Sequence, residues 1–205
     1  MIPAITMLFF FGLMAGLIWF AYRQQQLANA NLAALAERLG LEVVVEKQFL
    51  GSDRHAIGTQ LGREIRFWAF TTGSGKSTRR WVAAGVRPRG SFALTFDLRA
   101  QGWGTKFMEL FGTHEITVGD PVFDDAWFVQ TNQPEFLAAA LVPGIRAKLM
   151  AQPKGARAVS VKLASGLVQY VEEGTFSKAE IGLRLESQLP LLHDLADVAE
   201  VSAGR

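Results

Sequence analysis

The first 22 positions are apolar almost without interruption, "IPAITMLFFFGLMAGLIWFAY" running from Ile2 to Tyr22 without a charge. Twenty-one residues at about 1.5 Å each span roughly 30 Å, the hydrocarbon thickness of a bilayer. Trp19, Phe20 and Tyr22 gather at the end of the run, where amphipathic rings favour the interface, and Arg23 stops it. The pattern predicts a transmembrane helix over residues 1–23. A cleaved signal peptide fits less well, because no Lys or Arg precedes the run and the run is too long for an h-region. From Gln24 the pattern turns helical and amphipathic. Leu32, Leu35 and Leu39 share a face, and Gly40 followed by Leu41 supplies a stop. Residues 24–40 read as a helical stalk between membrane and domain.

Past residue 40 the period shortens. "LEVVVEKQF" is β-branched, and "HAIGTQLGREIRFWAF" reads as a hairpin turning at Leu61-Gly62-Arg63. "RRWVAAGVR" and "SFALTFDLR" flank the turn signal "PRG"; in the second, Phe92, Leu94, Phe96 and Leu98 alternate with small or polar residues. Spacing this short excludes crossover helices and predicts antiparallel pairing of successive strands. "GWGTKFMELFG" reads as a short helix or a loop. "HEITVG" and "AWFVQTN" read as strands around the turn "DPVFDD", and "QPEFLAAALVPGIRAKLMAQ" as a helix or helix pair broken near Pro143-Gly144. "RAVSVKLASGLVQYVEEG" is a hairpin turning at Ser165-Gly166. The tail from Ser177 is amphipathic, with Ser177 and Glu180 spaced as a capping box and Pro190 placed to start or kink its second half. Strands first and helices afterwards make residues 41–205 an α+β domain with a mainly antiparallel sheet.

Composition narrows the chemistry. There is no cysteine, which excludes disulfides, zinc-thiolate sites and thiol catalysis. The net charge of +2 is unevenly spread: residues 51–110 carry ten Lys/Arg against four Asp/Glu, and residues 111–205 carry eight against twelve. Lys76, Arg79, Arg80, Arg87 and Arg89, on two strands and their connecting loops, are candidate contacts to an anionic surface, in competition with a solvated face balancing the acidic half. No module that reads nucleic acid is recognisable. Arg23 and Arg38 follow the apolar run and only the α-amino group precedes it, so positive-inside places the domain on the cytoplasmic side of a cell (inner) membrane. Gly12 and Gly16 form a small-xxx-small spacing, a candidate helix–helix contact for weak homodimerisation.

"TTGSGKSTRR" carries the second half of a phosphate loop in Gly75, Lys76 and Ser77. The first glycine of that motif falls on Phe70, and strand-forming residues follow where a helix should open. A hairpin loop is the simpler reading, a degenerate nucleotide binder through Lys76 the alternative. His55, His114 and His193 stand far apart and belong to no ligand-spaced cluster. His114, Glu115, Asp120, Asp124 and Asp125 fall within twelve residues but lack EF-hand spacing, and Asp120 before Pro121 suits a turn. A hydrolase built on the His114–Asp125 group stays open beside this structural reading. Nothing calls for a cofactor.

The stretch "EITVGDPVFDDAWFVQTNQPEFLAAALVPGIRAKLM" resembles a G-D-x-x-F-D-x-x-[FW]-x-V pattern of uncharacterised bacterial single-pass membrane-anchored proteins, followed in them by a helix with "LL-x-P". The matching residues are Gly119, Asp120, Phe123, Asp124, Phe128 and Val129, then Leu141 and Pro143. The resemblance implies a membrane-proximal α+β domain and carries no catalytic residue. The expectation is a membrane-anchored, non-catalytic binding or scaffolding module for a protein partner or anionic lipid.

Overall fold

In the computed structural model, backbone is described for residues 2–48, 51–90, 92–100, 114–153 and 156–202, and side chains for those except 2–8, 47–48, 51–52 and 114. The segment "GWGTKFMELFG" lies outside the described residues. Helix α1 runs unbroken from Ile2 to Leu39. It closes as the Gly40-Leu41 signal predicts. Gly40 sits at φ 66°, its N–H donates to Glu37 O, and the Leu41 N–H donates to Ala36 O; this Schellman pair satisfies the last carbonyls.

Five strands follow: β1 Glu42–Gln48, β2 Gly51–Gln60, β3 Arg63–Thr72, β4 Arg79–Val86 and β5 Phe96–Ala100. Then come β6 His114–Ile116, α2 Pro121–Ala126, β7 Trp127–Thr131, α3 Pro134–Ala140 and α4 Pro143–Met150. The chain ends with β8 Ser160–Ala164, β9 Leu167–Glu173, α5 Ala179–Ser187 and α6 Leu189–Ser202. The strands form one antiparallel sheet in the order β1-β2-β3-β4-β9-β8-β5-β7-β6. Helices α2 to α6 and the C-terminal part of α1 share one apolar core with the sheet, built on Phe67, Val82, Leu98, Val161, Tyr170, Leu185, Leu192 and Leu195.

Three expectations need correction. β4 and β5 flank "PRG" but do not pair: β4 lies against β9, and β5 sits between β8 and β7. The hairpin β8–β9 inserts between them: β9 is buried along nearly its whole length and β8 on alternate positions, whereas only Phe96 to Ala100 of "SFALTFDLR" becomes strand. The capping box at Ser177 and Glu180 does not form. Lys178 is the N-cap of α5, without a side-chain bond, and Ser177 Oγ pairs with Thr175 Oγ1 instead. The turn "DPVFDD" tightens into α2, capped by Asp120 Oδ1 accepting from the Phe123 N–H.

The stalk is also more than a spacer. Leu32, Leu35 and Ala36 are buried in the domain core, so α1 is a structural element of the domain from about Ala28 onward. The expected membrane span, residues 2–22, lies partly outside the described side chains. Among the described residues no helix is long and apolar enough to cross a membrane.

Candidate functional site

One end of the domain gathers several features singled out above. Asn31 Nδ2 donates to Phe176 O at 2.7 Å, Leu35 packs near Gly182, and Arg38 pairs with Glu186 at 2.7 Å. These contacts climb α1 and α5 in step, so the two helices run in the same direction. The end at which α1 enters the domain is therefore the end that holds the β9–α5 connection. There the Gly174 N–H donates to Arg80 O at 3.0 Å, which brings in the start of β4 and the β3–β4 loop. The start of β2 lies at this same end, since β2 runs antiparallel to β3.

The part of α1 that projects beyond this end is apolar and uncovered. Phe9 is 74% exposed, and Phe10, Phe11, Leu13, Leu17, Ile18, Trp19, Phe20 and Tyr22 are exposed with it. Free side chains of this kind on a water-soluble surface form an unusually large apolar patch. Arg23 closes it, its guanidinium 5.5 Å from the centre of the Trp19 ring, a cation–π contact. A Cβ placed at Gly12 or Gly16 would meet nothing within 4 Å, so the small-xxx-small face is open.

The structure divides the five basic candidates. Lys76 lies in the 3-10 turn Gly75–Ser77, and Arg79 and Arg80 open β4; all three are exposed at the α1-entry end. Arg87 and Arg89 lie past the other end of β4 and are engaged: Arg87 with Glu64 at 3.0 Å, Arg89 with Glu200 at 3.3 Å. Along α1, Asn31 to Arg23 is about 12 Å. The β3–β4 loop, with Lys76 in it, extends beyond Arg80 at this end.

The phosphate-loop resemblance ends in this geometry. The loop joins neighbouring antiparallel strands and no helix follows it. Two of its backbone donors turn inward: the Ser77 and Thr78 N–H groups donate to Ser74 O and Gly75 O, and the two hydroxyls donate to the same carbonyls at 2.8 Å. A working phosphate loop turns its N–H groups outward, to the ligand. Gly73 is required for a different reason. Its φ is 78°, and a Cβ there would come within 2.4 Å of Ser77 O.

The acidic group is spent on local structure as well. Asp124 accepts from the N–H groups of Val118, Gly119 and Asp120 at 2.9–3.2 Å. Asp120 caps α2 and lies 3.3 Å from Arg146 Nε. Gly119 takes φ 77°, and Phe123, Val129 and Leu141 are buried. Each position of the resembled pattern thus has a folding role. Counted by its spacing, the pattern's aromatic is Trp127, buried and stacked on Phe123, while Phe128 is half-buried on the other side of β7.

Two buried charge networks escaped the sequence reading. Glu172, 0% exposed, accepts from Arg184 Nη2 at 2.6 Å and from the Tyr170 hydroxyl at 3.2 Å. Burial, with Glu172 beside it, holds the Tyr170 hydroxyl well above its ordinary pKa. Buried Arg63 on β3 binds Glu200 and Asp197 on α6. Hydrogen bonding by Arg63, and secondarily by Arg89, holds the Glu200 carboxyl down to about 2. His193, which bonds Gln60, is pushed below its usual range by burial and by the Arg63 charge. The only sequence signal for Glu172 was its parity: in "LVQYVEE" it falls in step with Val168 and Tyr170, on the inward face.

A groove of about 950 Å³ opens elsewhere in the helical layer, lined by Phe136, Ala140, Val142, Ile145, Val198 and Val201, with Lys148 and Asp194 paired at its rim.

No family model matches the chain, and no curated protein does. Among solved structures it is similar to the mycobacterial trehalose monomycolate transport factor A, TtfA. The two share 12% identity, with a TM-score of 0.56, over 85% of this chain and 95% of that one. At that identity the likeness speaks for the fold.

Proposed function

We propose that the protein is a membrane-anchored, non-catalytic accessory module: residues 2–22 cross the inner membrane, and the domain stands on the cytoplasmic leaflet with its hairpin end against anionic headgroups. The observation that carries this reading is the division of α1. A single helix leaves residues 9–22 uncovered and largely apolar and buries Leu32, Leu35 and Ala36 in the domain core. A rigid helix so divided fixes the orientation of the domain as well as its location. Lys76, Arg79 and Arg80 then fall near headgroup level beside Arg23, where each exposed cation is worth about 1 kcal/mol. The name of the structural neighbour, a transport factor, favours an accessory role in transport. The helical-layer groove offers a protein partner an apolar concave surface, and the open Gly12–Gly16 face offers a second copy of the helix a weak contact.

The absence of native cysteine makes topology directly testable. In Ser74→Cys, a membrane-impermeant maleimide is expected to label the loop only after cells are permeabilised. Labelling in intact cells would reverse the orientation and remove the cytoplasmic leaflet as partner. The headgroup contact is read with the same site carrying a donor fluorophore, full-length protein in proteoliposomes and an acceptor on the lipid headgroups. Transfer is expected to be higher in anionic than in neutral vesicles and to fall in 1 M salt, where the screening length is about 3 Å. It should also fall when Lys76, Arg79 and Arg80 are all changed to Gln. Three such residues at about 1 kcal/mol each correspond to a population change on the order of 100-fold. Equal transfer from neutral vesicles would sink the lipid contact.

A further inference from the structure

The β1–β2 hairpin assembles a ligand set that separation along the chain conceals. In its register Glu46 lies directly opposite Asp53, and Val44 opposite His55. His55 and Asp53 are two apart on one strand, so both share a face with Glu46. One ligand atom from each of the three falls within 4.8 Å of the others.

His55 gives the cluster its meaning. It is 3% exposed, opposite Trp68 on β3. Its Nδ1 is buried without a hydrogen-bond partner, and its Nε2 lies 3.8 Å from Glu46 Oε1, beyond hydrogen-bonding distance. A buried ring nitrogen without a hydrogen bond is costly, and native folds seldom leave one. Among the described residues no arginine or lysine ion-pairs with Glu46 or Asp53, and Arg66, on the same face of β3 as Trp68, lies over the Trp68 ring. Two carboxylates and the buried imidazole of His55 thus converge, and among the described residues no Arg or Lys ion pair neutralises the carboxylates.

We propose that Glu46, Asp53 and His55 bind a divalent transition-metal ion, Zn²⁺ by the chemistry of the donors. Imidazole is a poor ligand for Ca²⁺ and Mg²⁺, which in addition want more oxygens than two side chains supply. One nitrogen and two carboxylate oxygens suit Zn²⁺, leaving a fourth position for water or an external oxygen ligand. Tetrahedral ligands at about 2.1 Å stand about 3.4 Å apart. The separations, up to 4.8 Å, therefore need to close by up to about 1.4 Å, a movement within reach of side-chain rotation at Glu46 and Asp53. The bound ion staples edge strand β1 to β2 near the end of the domain where α1 enters.

The test uses full-length protein in detergent micelles, titrated with ZnCl₂ by calorimetry and followed by melting temperature. The wild type is expected to bind one Zn²⁺ per chain and to melt higher with it. Glu46→Gln and Asp53→Asn, whose side chains are not in the core, should each weaken binding at least tenfold while keeping the metal-free melting temperature, and His55→Gln should weaken it as much. No zinc uptake by the wild type overturns the proposal. So does wild-type affinity in both Glu46→Gln and Asp53→Asn, which would place the ion elsewhere.

Discussion

Replacing Arg184 by methionine is expected to cost the domain about 3–5 kcal/mol, the range for removing one partner of a buried ion pair. Glu172 is fully buried on the core face of β9, and Arg184 supplies its only opposite charge among the described residues, with the Tyr170 hydroxyl donating a further hydrogen bond. Without Arg184 the carboxylate must either stay charged in the core or take up a proton, and both lower stability at neutral pH. For a domain of this size the loss reads as a fall in melting temperature on the order of 10 °C. The double variant Glu172→Gln, Arg184→Met removes the stranded charge and is expected to recover most of the loss. Urea unfolding of the wild type and the two variants decides it. If Arg184→Met alone unfolds within 1 kcal/mol of wild type, Glu172 is not the stranded charge inferred here.

The largest expected effect on behaviour in the cell comes from two arginines in the exposed part of α1. Leu13 and Leu17 are exposed one helical turn apart, in the middle and latter part of the apolar run. Each Leu→Arg change at the centre of an inserted helix costs about 3–4 kcal/mol on the insertion scale, so Leu13→Arg with Leu17→Arg costs on the order of 6–8 kcal/mol. The wild-type chain should sediment with membranes after carbonate extraction, and the double variant should not. Both changes lie outside the packed domain, so the core built on Leu32 and Leu35 is untouched. Retention of the double variant in the membrane pellet would show that attachment runs through some other surface.

Much of the domain was legible because it depends on near neighbours in the chain. Leu61-Gly62 and Ser165-Gly166 announce two-residue hairpins, and both residues of each turn adopt positive φ, the conformation that brings right-twisted strands back upon each other. Gly40 stops α1, Pro143 begins α4, and Pro190 lies in the first turn of α6. The hairpin reading of the phosphate-loop stretch was preferred for the same reason: Phe70 and the strand-forming residues after Ser77 lie within a few positions of it.

The candidate sites were less legible. His55 was weighed against His114 and His193, its distant counterparts in sequence, while its relevant neighbours are Glu46 and Asp53 across a strand pairing. The five basic residues read as a single patch, and β4 carries them to its two ends, leaving Lys76, Arg79 and Arg80 at one and the ion-paired Arg87 and Arg89 at the other.

The sequence by itself determined the apolar N-terminal helix, the hairpins, the α+β class and the absence of thiol chemistry, because hydrophobic period, turn residues and composition act locally. Only the tertiary structure decided that β8–β9 separates β4 from β5, that the stalk is a core helix, that Glu172 meets Arg184, and that one end of the sheet faces the way α1 leaves. Each of these depends on which surfaces bury one another across long stretches of chain. Such pairings are selected by the packing of the whole core, which no local period or turn signal encodes.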